Sequence, residues 1–320
     1  MTVRKKLAGT FALPLMVLVI CIIISAMKGV SLFDSELSWI TFIRSLTNVA
    51  LVTFALSINL NSGRFDFSIG SVALLSSVIS SMLTVKYDLG PVAMLLLSAL
   101  FGALLGFLSG LVYVSVKLPP IIVSLAVALF YEGFSFTLTG GHGVTFANNA
   151  RLLGFGSIPN YILITGISTV LMILIFDHTR FGYEYKALQS GQKVAVNTGI
   201  REIPNALLCY TLAGILMGVQ GFVSATNNGS ITMSLNFGSI SPMFMAFLPM
   251  FIGGFIGRYS NDKLGTLLGA FSSAVISLVY VRLNVSSSAQ QIISAVLMVS
   301  FLIYLNNETT IHSLLRRKNS

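Results

Sequence analysis

The chain has 320 residues, of which 55% are hydrophobic and only 9% are charged. A soluble domain carries roughly 25% charged residues, so this composition predicts a protein that crosses a membrane many times. The net charge of +9 does not indicate nucleic-acid binding, because most basic residues fall between apolar runs. Both cysteines lie within such runs, and the sequence predicts neither a disulfide framework nor a metal site.

The apolar runs predict ten spanning helices, since a span needs about 20 mostly apolar residues. The first run follows a short basic N-terminus and is long enough to span, so we interpret it as a retained helix and not as a cleaved signal peptide. We expect an all-α polytopic protein with one transmembrane domain over residues 1–320. The predicted spans are residues 9–27, 39–60, 67–85, 91–116, 120–139, 158–176, 204–226, 242–257, 264–281 and 288–305.

The basic residues between the runs predict which side of the membrane each loop faces, because cytoplasmic loops carry an excess of Lys and Arg. With the N-terminus inside, fourteen of the 19 basic residues face the cytoplasm and four face outward. Arg44 falls within the second span. Both termini are therefore expected in the cytoplasm.

A polar segment, Asp177 to Pro204, interrupts the apolar runs and is predicted to face the cytoplasm. It is too polar to span and too short to be a domain. Gly182 and Gly191 predict turns, and Gly199 predicts the end of a helix. We expect one or two short helices at the membrane surface, with a solvated or lipid-surface loop as the alternative.

Small residues recur at four-residue spacing within several spans, which favours close packing of helix backbones in a membrane. We interpret this spacing as packing and not as a functional site. The residues are Gly102, Gly106 and Gly110, then Gly214 and Gly218, then Gly265 and Gly269.

Motifs for chemistry are missing, and charges within spans are few. The chain has no Gly-Lys dipeptide and hence no phosphate-binding loop of the GxxxxGK[ST] type. No catalytic residues are predicted. Glu132 lies about two-thirds through the fifth span, and Asp66 opens the third span in GRFDFSIGS. Charges in spans mark functional sites by default. The alternatives are pairing with a neighbouring polar group for Glu132 and capping of a helix for Asp66.

Four segments, in order, resemble the permease subunits of bacterial ABC importers for ribose and related simple sugars, including the autoinducer-2 permeases. The likeness runs from Asn48 to Leu305. The segments are GRFDFSIGS; LPPIIVSLAVALFYEGFS; the polar segment continuing into YTLAGILMGVQG; and a C-terminal part with Ile252-Gly253-Gly254, GTLLGA and LNVSSSAQQII.

The resemblance implies a permease subunit of an ATP-driven importer that moves a small solute, a simple sugar or related compound, across the bacterial inner membrane. ATP would bind to a separate cytoplasmic ABC ATPase, and this chain would hold no cofactor and would not itself be an enzyme. The other implied partners are an extracytoplasmic solute-binding protein, docking near residues 140–157 and 227–241, and a second permease copy or a homologous permease.

The resemblance also implies two sets of functional residues. The cytoplasmic segment 177–204 would couple the permease to the ATPase, with Ala195 and Gly199 small enough for close docking. The coupling residues are Phe181, Gly182, Ala187, Leu188, Ala195, Thr198, Gly199 and Ile200. The translocation path would include Asp66, Ser68, Gly70, Ser71 and Glu132.

The sequence departs from the family's pattern at four places. Gly63-Arg64 replaces Gly-Gly, Glu132 replaces a basic residue, Met243 to Met245 replace Glu-Leu-Asp, and FIGRYSNDK replaces a glycine-rich turn. Two copies of Glu132 near one symmetry axis would repel each other, so a mixed pair of permeases and a divergent homodimer both stay open.

The alternative functions within transport are a branched-chain amino-acid permease and a nucleoside permease, and the Asp66–Ser71 motif favours a sugar permease over both. An ion-coupled carrier is the rival from another class.

Overall fold

The computed structural model describes the backbone of residues 3–307 and the side chains of residues 6–307. Within this part, ten helices are long and apolar enough to cross a membrane. This finding confirms the predicted ten spans, and the protein is a multi-pass, all-α membrane protein. The orientation prediction for Arg316, Arg317 and Lys318 lies outside the described residues. The spanning helices are α1 (Val3–Met27), α2 (Glu36–Asn61), α3 (Ile69–Lys86), α4 (Pro91–Val116), α5 (Pro120–Thr139), α7 (Ile158–His178), α9 (Glu202–Asn228), α10 (Ser241–Gly257), α11 (Asp262–Arg282) and α12 (Ser287–Asn306).

Shorter elements mark the two ends of this bundle. Helix α8 (Arg180–Asn197) joins α7 to α9, and we name this end of the bundle the α8 end. At the other end, β1 (Val144–Thr145) after α5 pairs antiparallel with β2 (Ser230–Ile231) after α9, and we name it the ribbon end. Helix α6 (Ala150–Leu153) lies near the ribbon, and a 3-10 turn, Gly238–Ile240, precedes α10.

Helices α4 and α9 pack backbone to backbone along their glycines. A methyl group added to Gly214 would overlap the carbonyl oxygen of Gly102, and one added to Gly106 would overlap the carbonyl of Tyr210. The Tyr113 and Tyr210 rings stack beside this contact, with centroids 5.6 Å apart. The four-residue glycine spacing therefore serves packing, as predicted.

Helices α10 and α11 form a second pair of this kind. An added methyl group at Gly253 would lie 2.6 Å from the Cα of Thr266, and one at Gly265 would lie 2.6 Å from the backbone nitrogen of Gly257. Backbones in such contact have no soft side chains between them, so we expect the two helices to move as one body.

The α4–α9 contact predicts that Gly214→Ala destabilises the protein, because overpacking of a tight contact costs about 1–3 kcal/mol. Gly166→Ala in α7 is the matched control, since an added methyl group there meets nothing within 4 Å. Thermal unfolding of the purified protein in detergent should show a lower midpoint for Gly214→Ala only. Equal midpoints for the two variants would contradict the close contact.

Candidate functional site

Two helix N-termini meet in the middle of the bundle. Gly221 of α9 packs against Ala73 and Ser77 of α3. At about 1.5 Å rise per residue, α3 therefore begins level with the midpoint of α9 and runs to the ribbon end. The 3-10 turn and α10 begin beside it and run to the α8 end. A methyl group added to Gly70 would overlap the carbonyl of Ser239, so the two starts are in backbone contact.

Asp66 accepts hydrogen bonds from Ser68 at the start of α3. Its Oδ1 accepts hydrogen bonds from the backbone N–H of Ser68 at 2.8 Å and from the Ser68 hydroxyl at 2.6 Å. Asn59 of α2 donates to Oδ2 at 3.0 Å. The hydroxyl of Ser71 donates to the Ser68 carbonyl at 2.8 Å. Asp66 is 3% exposed, so it acts as a buried cap, the alternative that the sequence offered.

Glu132 likewise accepts hydrogen bonds from backbone N–H groups where the 3-10 turn and α10 begin. Its Oε2 accepts the backbone N–H of Phe237 at 3.0 Å, and its Oε1 accepts that of Ser239 at 2.8 Å. Glu132 is 1% exposed. Both carboxylate oxygens therefore accept hydrogen bonds within this chain. A helix N-terminus carries partial positive charge, which stabilises a carboxylate there.

Side chains at these two helix starts line an open cavity of about 610 Å³ between α5, α10 and α12. Phe67 lies between Asp66 and Ser68 in the chain, and Phe237 is the residue directly before the 3-10 turn. The lining is largely apolar, with Gln291, Ser241 and Ser294 as its polar members. Phe244, Met245, Leu248 and Met298 complete its wall. The residues that replace Glu-Leu-Asp are divided here, because Phe244 and Met245 face the cavity while Met243 is buried.

Four phenylalanine rings join the two helix starts beside this cavity. The Phe65 and Phe67 centroids are 4.6 Å apart, and Phe67 and Phe244 are 6.0 Å apart. Phe244 and Phe247 are 6.0 Å apart, and Phe247 and Phe65 are 5.7 Å apart. We name these four residues the phenylalanine cluster. Sequence reasoning missed it because its members come from segments far apart in the chain.

The polar segment forms helix α8, with a break at Gly191, where φ is 176° and ψ is 85°. The predicted break at Gly191 and the helix end before Gly199 are confirmed. Gly182 does not make a turn: it lies in the first turn of α8, pressed against the carbonyl of Phe176. A side chain there would collide with α7, and this contact explains why the position is small.

The eight predicted coupling residues divide between the two faces of this segment. Gly182, Leu188 and Ala195 are buried in the chain, and Phe181, Ala187 and Ile200 are half-buried. Only Thr198 and Gly199 are exposed. Ala195, at 4% exposure, packs inward, so its small size serves the bundle and not close docking of a partner. The outward apolar residues are Tyr183, Val194 and Val196, which the helical period of α8 could have identified.

Glu202, in the first turn of α9, links α8 to the loop before α3. Gln192 donates to Oε1 of Glu202 at 2.6 Å. The same Oε1 lies 3.8 Å from a guanidinium nitrogen of Arg64, which is buried beside Cys209. Arg64, one departure from the family's pattern, thus connects α8 to the segment that carries Asp66 and Phe67.

Ten helices long and apolar enough to span a membrane, with an open apolar cavity beside two helix starts, are typical of a polytopic permease. The model of the family described as branched-chain amino acid transport system / permease component matches residues 40–308, and the chain belongs to this family. The chain is 24% identical to the fructose import permease of Rhizobium meliloti, covering 83% of this chain and 77% of the relative. It is 26% identical to the galactofuranose transporter permease of Escherichia coli K12, covering 71% and 67%. It is 27% identical to the autoinducer 2 import system permease of Photorhabdus luminescens, covering 75% and 72%. The predicted resemblance to ABC import permeases of the sugar type is confirmed.

The capping geometry predicts that Glu132→Gln destabilises the protein. An amide can accept only through its oxygen, so one buried N–H loses its acceptor, at a cost of about 1–3 kcal/mol. Thermal unfolding in detergent should show a lowered midpoint, whereas Glu36→Gln, at an exposed site, should leave it within error. An unchanged midpoint for Glu132→Gln would show that the two hydrogen bonds do not hold the helix start.

Proposed function

We propose that this permease is the membrane subunit of an ATP-driven importer and that the apolar cavity is its half of the translocation path. The observation that carries the proposal is the cavity's position at two helix starts in the middle of the bundle. Transporters place solute sites where helices are interrupted near the bilayer midplane, because irregular backbone is tolerated there only beside a cavity or within protein.

A second permease completes the path. Helix α12 forms one wall of the cavity, yet none of its residues is buried in the described part of the chain. Its apolar side chains Ile292, Val296 and Ile303 point away from the bundle. A second copy, or a homologous permease, packed on this side would close the open cavity into a channel around a two-fold axis.

The predicted path residues act on this cavity from behind its wall. Asp66 and Ser68 fix the start of α3, Gly70 allows it to touch the other start, and Glu132 fixes α10. Ser71 closes the first turn of α3. The solute itself would meet Phe67, Phe237 and Phe244, whose backbones these buried groups position.

The solute is a small compound, and a simple sugar or related compound is the first candidate because the named relatives import fructose, galactofuranose and autoinducer 2. Aromatic rings offer flat surfaces to the C–H faces of a sugar. A branched-chain amino acid is the second candidate, favoured by the apolar lining with Leu248, Met245 and Met298.

Movement would be driven from the α8 end, which the charge distribution predicts to be cytoplasmic. An ABC ATPase on a separate subunit would bind ATP and push on segment 177–204, with Thr198, Gly199 and the outward face of α8 as the contact surface. A binding protein would deliver solute at the ribbon end, near residues 140–157 and 227–241. An ion-coupled carrier has less support, because Asp66 and Glu132 are both engaged as helix caps.

The central experiment is transport by the tagged permease purified from its native host with its bound subunits. In proteoliposomes, we expect solute uptake that requires ATP and is unchanged when ion gradients are collapsed. Mass spectrometry of the same preparation identifies the ATPase and shows whether one permease or two are present. Uptake driven by an ion gradient in vesicles without an ATPase would overturn the proposal.

The exposed face of α8 generates a prediction for the ATPase contact. Val194 is 69% exposed, so Val194→Asp should leave the permease folded but reduce co-purification of the ATPase by about tenfold, the effect of one interface hot spot. Leu235→Asp at the ribbon end is the control and should retain the ATPase. Full ATPase recovery with Val194→Asp would remove this face of α8 from the contact.

A further inference from the structure

A buried lysine lies directly beneath α8. Lys263, in the first turn of α11, is 2% exposed. Its Nζ is 4.4 Å from the ring centroid of Phe176 and 5.9 Å from that of Tyr185. Oδ2 of Asp262 lies 3.1 Å from the same nitrogen. Lys263 belongs to FIGRYSNDK, where the sequence departs from the family's pattern.

A charged group buried this far needs partners to replace water. The Asp262 carboxylate is half exposed, with its side chain at 50%, so water weakens its attraction for the ammonium. The two rings are almost fully buried and present their negative faces to the cation, an interaction that strengthens away from water. Lys263 is therefore held by Asp262 of its own helix and by two aromatic rings of other helices.

These contacts join the first half of α8 to the ends of α2 and α7 and to the start of α11. Phe176 belongs to α7 and Tyr185 to α8, and their rings meet edge to face with centroids 4.8 Å apart. The Tyr185 hydroxyl donates to the Ile58 carbonyl at the end of α2, at 2.9 Å. Burial raises the pKa of Tyr185 well above its usual value, so the hydroxyl keeps the proton that it donates. Asp177 adds a parallel connection, because it accepts hydrogen bonds from Asn261 and Lys186.

From Lys263 a continuous path of close contacts leads to the cavity. Helix α11 is in backbone contact with α10 through Gly253 and Gly265. Helix α10 carries Phe244 and Met245, which line the cavity. A displacement of α8 that moves α11 must therefore also move this wall.

We propose that Lys263 is a positioning residue that makes the first half of α8 move together with the α10–α11 pair. The buried ammonium couples motion of α8 to the wall of the cavity. Lys263→Met removes the cation and keeps a side chain of similar length, so that only the Asp177 hydrogen bonds still join α8 to the start of α11. The inference rests on the proposed function, since it assigns a mechanical role within the ATP-driven importer.

The test uses the purified complex with its ATPase, reconstituted in liposomes, and three variants. Lys263→Met removes the cation, Lys263→Arg keeps it, and Lys117→Met removes an exposed lysine at the same end of the bundle. We expect Lys263→Met to keep the ATPase bound while solute uptake per ATP hydrolysed falls about tenfold, a size typical of residues that carry coupling between sites. Lys263→Arg should recover most of that ratio, because Arg also binds aromatic faces, and Lys117→Met should match the wild type.

A distance measurement separates coupling from a purely structural role. Spin labels at Gln189→Cys on α8 and Leu264→Cys on α11 report whether the two helices move together. In the wild type, we expect their separation to stay constant between nucleotide-free and ATP-bound complexes. In Lys263→Met it should change with nucleotide.

Three results would overturn the inference. The first is an unchanged ratio of uptake to ATP hydrolysis in Lys263→Met, and the second is a constant label separation in that variant. The third is a parallel loss of uptake, hydrolysis and protein abundance without rescue by Lys263→Arg, which would make Lys263 only structural. Failure of the proposed function is recognised separately, because the wild-type complex would then show no ATP-driven uptake.

Discussion

The structure depends on how two helix N-termini are satisfied in the middle of an apolar bundle. The start of a helix has unpaired N–H groups and partial positive charge, and no water is present in the bilayer core to satisfy them. The Asp66 carboxyl group accepts hydrogen bonds at the start of α3, and the Glu132 carboxyl group accepts them at the start of the 3-10 turn and α10. No lysine or arginine is among the partners described for these two groups. The two starts touch at Gly70 and Ser239, because glycine has no side chain to separate them.

This arrangement separates polar support from the apolar surface that faces the cavity. Phe67 and Phe237 line the cavity, whereas Asp66 and Glu132, which accept hydrogen bonds at the same two helix starts, are buried and do not line it. In the translocation path that we propose, a wall largely free of hydrogen-bonding groups would offer the solute few strong contacts. Weak contact would suit a path that the solute must leave as readily as it enters. The phenylalanine cluster joins the start of α3 to α10, so we expect the two walls to move together.

In the importer that we propose, force applied at the α8 end would have two routes to these walls. One runs from Gln192 through Glu202 to Arg64 and the start of α3. The other runs from Tyr185 and Phe176 through Lys263 to α11 and α10. Both routes include a buried cation at a position where the sequence departs from the family's glycine-rich pattern. We expect a cation bonded to several elements to transmit displacement between them, whereas a hinge of small residues absorbs it.

The sequence by itself determined the ten spans, the close packing of helices at spaced glycines and the turn at Gly191, because hydrophobic length and small-residue spacing are local properties of the chain. It also identified Asp66 and Glu132 as unusual, since a charge in an apolar run is visible without coordinates. Tertiary structure decided what those residues do: the N–H groups that Glu132 caps lie more than a hundred positions away along the chain. Similarly, only the packing of α8 placed Ala195 inward and Lys263 beneath Tyr185. Contacts between distant segments depend on how helices pack, and one helix's sequence does not contain its neighbour's position.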